Sequence, residues 1–138
     1  MAANAMKAYI DTNVWFSAFY GSQNCQTILV AYTKGKFEAV ISRTVVRELT
    51  KNPGNKFSKG LNLVGRFLAI YPPEMVESVP EINIGNLADT KDLPILQEAY
   101  NSKIEYLVTG NIKDFNITLI KKRLKISVIS PADFVRLL

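Results

Sequence analysis

The chain has 138 residues and a formal charge of +5, with one cysteine, Cys25, and no histidine. A hydrophobic share of 48% is enough for a buried core without disulfides or structural metals, and the length fits one domain. The absence of histidine excludes Ser-His-Asp catalysis, Cys-His catalysis and histidine-based zinc sites, and the lone cysteine excludes a disulfide framework.

Short apolar runs alternate with segments of helical periodicity along the chain. In chain order they predict a strand at 7–10, a helix beginning near Asn13, a helix at 26–34, a strand at 37–41, a helix around 45–49, a loop at 51–59, a helix at 61–70, a strand at 75–79, a helix at 93–101, strands at 106–109 and 126–129, and a closing helix at 132–138. This alternation predicts an α/β fold, with a parallel sheet covered on both faces and residues 1–138 forming a single domain.

Polar residues stand where the predicted strands end or where the following helix begins. They are Asp11, Ser42, Asp89, Asp92, Thr109 and Asn111. Ligands of such folds bind at the carboxyl edge of the sheet, so we expect the functional site there. Without histidine, carboxylates gathered around a hard metal ion are the simplest way to activate water at neutral pH.

Asp11 is the strongest single candidate, because it separates two apolar runs and should lie at the rim of the core. An isolated buried charge is costly and needs a metal, a cation or several hydrogen bonds. The alternative is that Asp11 only caps the helix beginning near Asn13. The position at the end of a strand favours a functional acid.

The other acids are weaker candidates when each is taken alone. Glu48 lies on the shoulder of a predicted apolar helix face and could equally be solvated. Asp92 precedes Pro94, so that helix capping by Asp92 or its neighbour Asp89 is the better interpretation. Asp114 is typical of an ordinary turn.

These candidate residues lie in four short motifs, whose order along the chain is typical of one protein family. The series Ile-Asp-Thr-Asn-Val at 10–14, Ser-Arg-Thr-Val-Val-Arg-Glu-Leu at 42–49, Lys-Asp-Leu-Pro-Ile-Leu at 91–96 and Tyr-Leu-Val-Thr-Gly-Asn at 106–111 resembles the PIN-domain family. The resemblance runs from about Lys7 to Phe115. It implies a three-layer α/β/α sandwich around a central parallel sheet, and an acidic pocket that binds Mg²⁺ or Mn²⁺ and hydrolyses phosphodiester bonds, most often in RNA.

The matching motifs assign site residues one by one. Asp11, Glu48 and Asp92 take the positions of the three metal-binding family carboxylates. Many members carry a fourth acid directly after Thr-Gly, where this chain has Asn111, and Asp114 is the alternative source of that charge. The supporting polar residues implied around the acids are Thr12, Asn13, Ser42, Asp89, Thr109 and Asn111.

Basic residues near the second strand are candidates for phosphate contacts with RNA. They are Arg43, Arg47, Lys51, Lys56 and Lys59, and the alternative is that they only provide solubility. The denser basic run at 121–125 should enter the last strand from its amino end, at the opposite edge of the sheet. We interpret that run as a solvated surface.

The resemblance is greatest to stand-alone toxin ribonucleases of toxin–antitoxin pairs, and it implies an antitoxin partner and a homodimer. The alternatives are a nucleic-acid-binding module without strong catalysis, to which Asn111 lends weight, and a structure-specific DNA nuclease. No long apolar run follows Met1. We therefore predict neither a signal peptide nor a membrane span, and a cytoplasmic location.

Overall fold

The computed structural model describes residues 6–42, 58–76, 87–88 and 93–138. Five parallel strands form one sheet in the order β3-β2-β1-β4-β5. The strands are β1 (Met6–Ile10), β2 (Phe37–Ser42), β3 (Glu74–Val76), β4 (Tyr106–Val108) and β5 (Ser127–Ile129). Helices cover both faces of the sheet, which confirms the predicted α/β/α fold.

Six helices lie within the described ranges, together with a 3₁₀ turn at Ile112–Asp114. They are α1 (Thr12–Ala18), α2 (Gln23–Thr33), α3 (Ser58–Ile70), α4 (Leu93–Asn101), α5 (Ile117–Leu124) and α6 (Pro131–Val135). In these ranges no helix combines the length and the apolar character needed to cross a bilayer. The predicted helix around 45–49 lies outside the described residues.

Several predicted boundaries were wrong, and a helix cap explains the first of them. Helix α2 begins earlier than predicted because the Ser22 hydroxyl accepts a capping bond from the Cys25 backbone N–H at 3.2 Å. Ser58 and Lys59 belong to α3 rather than to a loop. The last helix is shorter than 132–138, since it begins at Pro131 and ends at Val135.

Two apolar layers sandwich the sheet, because successive side chains of each strand point to opposite faces. On one face, Ala8 and Ile10 of β1 pack with Trp15 of α1 and the apolar residues of α2, α3 and α6. On the other face, Tyr9 packs with Leu96 and the other buried residues of α4 and α5. Asp11 follows Tyr9 at a spacing of two, so the sheet pleat turns its side chain toward the α4 side.

The strand order changes direction between β1 and β4. From β1 the chain proceeds outward to β2 and β3 on one side, and to β4 and β5 on the other. Such a reversal leaves a crevice at the carboxyl ends of the two central strands, where ligands of open α/β sheets bind. Asp11 and Thr109 are the first residues past these two strands.

Candidate active site

Asp11 is a buried carboxylate at this crevice, with 8% of its surface exposed. Its backbone N–H donates to the Val108 carbonyl at 2.9 Å, which pins it to β4. Asp11 occupies the N-cap position of α1, yet its side chain makes no capping hydrogen bond. The backbone N–H groups of Thr12 and Asn13 nevertheless interact with this carboxylate and lower its pKa, so Asp11 can stabilise the start of α1 and also serve a functional site.

Two neighbouring side chains hold the carboxylate. The Thr109 hydroxyl donates to Asp11 Oδ2 at 2.7 Å, and Asn13 Nδ2 donates to the same oxygen at 3.3 Å. Asn13 Oδ1 in turn accepts from the Gly110 backbone N–H at 3.2 Å. The Asn111 N–H donates to the Thr109 hydroxyl at 3.1 Å. These bonds join the segment after β1 to the segment after β4 and fix the orientation of Asp11.

Trp15 fixes the same junction from the opposite face of the sheet. Its indole Nε1–H donates to the Ile10 carbonyl at 3.1 Å, and the side chain is fully buried. The ring packs edge-on against Tyr32, with 5.5 Å between the centroids. This hydrogen bond joins α1 to the last residue of β1, and Asp11 lies between the two in the sequence.

Burial raises the pKa of Asp11 above its usual range, and the hydrogen bond from Thr109 only partly offsets that rise. Within the described part of the chain, no lysine or arginine forms an ion pair with this carboxylate. A bound divalent cation would stabilise the charged form, and carboxylate oxygens are the ligands that Mg²⁺ and Mn²⁺ prefer. The buried and pre-oriented acid therefore fits a hard metal ion.

A second buried carboxylate, Glu98 of α4, was missed from the sequence. Only 3% of its surface is exposed. The Tyr9 hydroxyl donates to its Oε1 at 3.2 Å, and the Ser42 hydroxyl donates to its Oε2 at 2.9 Å. Burial raises the pKa of Glu98, and burial together with the nearby Glu98 charge raises the pKa of Tyr9.

A sequence signal for Glu98 did exist. Ile95, Glu98, Ala99 and Ser102 follow the i, i+3, i+4, i+7 spacing of one helix face, and the last three of them are buried. A carboxylate on an otherwise buried helix face requires hydrogen-bond donors. Tyr9 and Ser42 are such donors, and both lie on strands that the sequence already predicted.

The remaining predicted site residues fall into two groups. Thr12 begins α1, Ser42 ends β2 and is buried, Asn111 is exposed, and Asp114 is half-buried at the end of the 3₁₀ turn. The side chain of Lys59 and all of Arg43, Arg47, Glu48, Lys51, Lys56, Asp89 and Asp92 lie outside the described residues. Within the described ranges alone, no three acidic, cysteine or histidine side chains group to hold a metal ion.

The loop after β4 contacts the described residues that precede Asp89 in the sequence. Phe115 forms an antiparallel bridge with Ala88, and the Asn116 N–H donates to the Leu87 carbonyl at 2.6 Å. Asp114 therefore lies beside the chain that leads into the third motif.

The basic run at 121–125 lies at the opposite edge of the sheet. Lys121, Lys122 and Arg123 form the last turn of α5 and are exposed. The following strand, β5, runs parallel to β4, so this run precedes its amino end. Asp11 stands at the carboxyl end of the sheet, away from these charges.

The chain is similar to known proteins in sequence and in fold. The family model described as "PIN domain" matches residues 7–113. A comparison with curated proteins finds no match. Among solved structures, the fold is similar to a chain in the crystal structure of VapBC2 from Rickettsia felis bound to a DNA fragment from their promoter. The TM-score is 0.60 and the sequence identity is 19%, and the match covers 91% of this chain and 98% of that chain.

Proposed function

The chain belongs to the PIN-domain family, and from that premise we propose that it is a metal-dependent endoribonuclease. Family membership assigns it to a class of nucleases. The observation that carries the finer proposal is the buried Asp11 carboxylate at the strand-order reversal, oriented by Thr109 and Asn13. This acid is desolvated and lacks a cation among the described residues, as expected of a metal ligand.

Asp11, Glu48 and Asp92 would together hold Mg²⁺ or Mn²⁺. When bound, such a metal lowers the pKa of a coordinated water and offsets negative charge at the scissile phosphate. The protein contributes orientation, because Thr109 and Asn13 both donate to Oδ2 of Asp11 and so hold the carboxylate in place before a ligand binds. The absence of histidine is consistent with this chemistry.

RNA is the proposed substrate, and the basic residues after β2 are its proposed phosphate contacts. The net charge of +5 supports attraction of a polyanion to a site whose own ligands are acidic. Arg43, Arg47, Lys51, Lys56 and Lys59 follow the carboxyl end of β2 in the sequence. Asp114 or Asn111 would complete the pocket beyond the three acids.

The proposed biological role is the toxin half of a toxin–antitoxin pair, acting in the cytoplasm as a homodimer. Support comes from the fold shared with a chain of the VapBC2 structure. The expected partner is a small antitoxin that covers the acidic pocket. The competing functions are a binding module without strong catalysis and a nuclease specific for DNA.

The deciding experiment compares cleavage of end-labelled RNA and DNA by the purified protein in Mg²⁺, Mn²⁺ or EDTA. Asp11→Asn tests the central ligand. Glu105→Gln is the control, because it also converts a carboxylate to an amide but lies just before β4, at the amino edge. RNA cleavage that requires metal, is lost in Asp11→Asn and persists in Glu105→Gln would support the proposal. Binding without cleavage in the parent would favour the binding module, and cleavage of DNA alone would favour the DNA nuclease.

A further inference from the structure

We propose that Glu98 is a positioning residue that ties together the three segments carrying the proposed metal ligands. Glu98 lies on α4, and its two oxygens accept hydrogen bonds from Tyr9 on β1 and Ser42 on β2. This inference rests on the proposed nuclease function. It concerns how the acids are held, because nothing places Glu98 itself against a substrate.

Each of the three tied elements adjoins one of the proposed ligands in the sequence. Tyr9 precedes Asp11 by two residues on β1, and Ser42 is the last residue of β2 before the segment that carries Glu48. Helix α4 begins at Leu93, directly after Asp92. A shift of any one of these elements would therefore change the separation of the acids.

Strand register brings the tie close to Asp11. Tyr9 pairs with Val40, and extending this register by two residues sets Asp11 beside Ser42. Ile10 pairs with Val108, which in the same way sets Asp11 beside Thr109. By this extension, Ser42, Asp11 and Thr109 would form one row at the carboxyl ends of β2, β1 and β4. The hydroxyl at one end of the row holds Glu98, and the hydroxyl at the other end holds Asp11.

A carboxylate is an expensive choice for this position in the core. The buried cluster on this side of the sheet is apolar and includes Val40 and Leu107 of the strands and Leu96 of α4. Replacing a buried charged group and its partners by apolar residues of similar volume is often neutral or stabilising. Stability alone therefore does not explain Glu98, whereas a requirement for fixed geometry does. Glu98 acts through Tyr9 and Ser42, whose hydroxyls donate to its two oxygens.

The test separates positioning from stability by using variants that keep the core filled. Tyr9→Phe combined with Glu98→Leu removes the tie and leaves apolar side chains in its place. Glu98→Gln keeps one acceptor and adds a donor that a rotated hydroxyl can accept, so it should preserve the tie. Tyr32→Phe is the matched control, because it deletes a hydroxyl that donates to the Tyr71 carbonyl at 2.6 Å, away from the site.

Four quantities are measured for each variant: the thermal midpoint, the Mn²⁺ affinity of the metal-free protein by calorimetry, and kcat and KM for RNA. The double variant should unfold near the parent temperature while its Mn²⁺ affinity and kcat fall roughly tenfold, the range seen when a partner of a metal ligand is removed. KM should stay close to the parent value. Glu98→Gln should recover most of the loss, and Tyr32→Phe should bind Mn²⁺ like the parent.

Parent-like Mn²⁺ affinity and kcat in a folded double variant would overturn the inference and leave the nuclease proposal intact. If the double variant does not fold, Tyr9→Phe alone is compared with Tyr32→Phe, and equal Mn²⁺ affinity in these two variants overturns it. A parent protein that neither binds Mn²⁺ nor cleaves RNA would overturn both proposals together.

Discussion

The hydroxyl of Thr109 makes the shortest of the described contacts to Asp11, at 2.7 Å, and it is fully buried. Thr109→Val keeps the shape of the side chain but removes the hydroxyl donor. Of the two side chains that donate to Asp11, only Asn13 would then remain. We expect Mn²⁺ affinity and RNA cleavage to fall roughly tenfold, as for other residues that support metal ligands. Thr109→Ser retains the hydroxyl and should retain most of both. A loss in Thr109→Ser without a loss in Thr109→Val would mean that the methyl group, and not the hydroxyl, is what matters.

Burial of Asp11 also predicts an unusual dependence of stability on pH. The pKa of Asp11 is raised above its ordinary value of 3.8 in the folded state, so the folded protein binds this proton more tightly than the unfolded chain. The free energy of unfolding without metal should therefore fall as pH rises from 3.8 through the raised pKa. Asp11→Asn lacks this contribution and should be more stable than the parent above that window, with the difference closing below pH 3.8. Denaturant titrations in EDTA check this, and a parent that is the more stable of the two at neutral pH would contradict it.

A candidate site residue can be predicted from the sequence when its own position in the chain is unusual. Asp11 stands out because an acid interrupts two apolar runs, and Thr109 because it follows a buried strand. Glu98 was missed because its role depends on hydroxyls from two distant strands, and no local pattern shows that pairing. The sequence shows which side chains are able to donate hydrogen bonds, but the sheet register decides which of them meet.

At the scale of secondary structure elements, the junction of β1 and α1 depends on Trp15. Trp15→Phe removes the hydrogen bond to the Ile10 carbonyl and leaves space among Tyr32 and Phe67. We expect it to lower the free energy of unfolding by about 2–3 kcal/mol, combining the missing bond with incomplete repacking. Tyr20→Leu changes an exposed aromatic residue of the same segment and should cost less than about 1 kcal/mol. Urea unfolding of both variants measures the difference, and similar costs would show that the buried indole is not the anchor.

Element types were predicted better than element ends. Each predicted strand overlaps an observed strand but differs at its ends, and the predicted helix at 93–101 matches α4. Capping by Ser22 extended α2 beyond its apolar positions. Helix α5 was not predicted at all. Its apolar residues Ile117, Ile120 and Leu124 do follow helical spacing. The helix has only eight residues, however, and the basic residues of its last turn interrupt that pattern.

At the scale of the whole molecule, the chain has two basic sets of equal charge, which differ in the strand end that they adjoin in the sequence. Residues 121–123 are exposed at the amino edge, while Arg43, Arg47 and Lys51 follow the carboxyl end of β2 in the sequence. If RNA approaches the carboxyl edge, where Asp11 stands, only the second set should contact phosphates. If RNA binding depended only on the total charge of the protein, the two sets would contribute equally.

Two triple variants, made in an Asp11→Asn background to prevent cleavage, distinguish these cases. One replaces Arg43, Arg47 and Lys51 by serine, and the other replaces Lys121, Lys122 and Arg123, so that both remove the same charge. The first should weaken RNA binding and lower the slope of log affinity against log salt by roughly 0.7 for each phosphate that is no longer neutralised. The second should leave the slope near that of the parent, although removal of cations from the end of α5 should cost that helix some stability. Equal slopes in the two variants would mean that RNA responds to the net charge of the protein rather than to one edge of its sheet, and the phosphate contacts proposed after β2 would then be wrong.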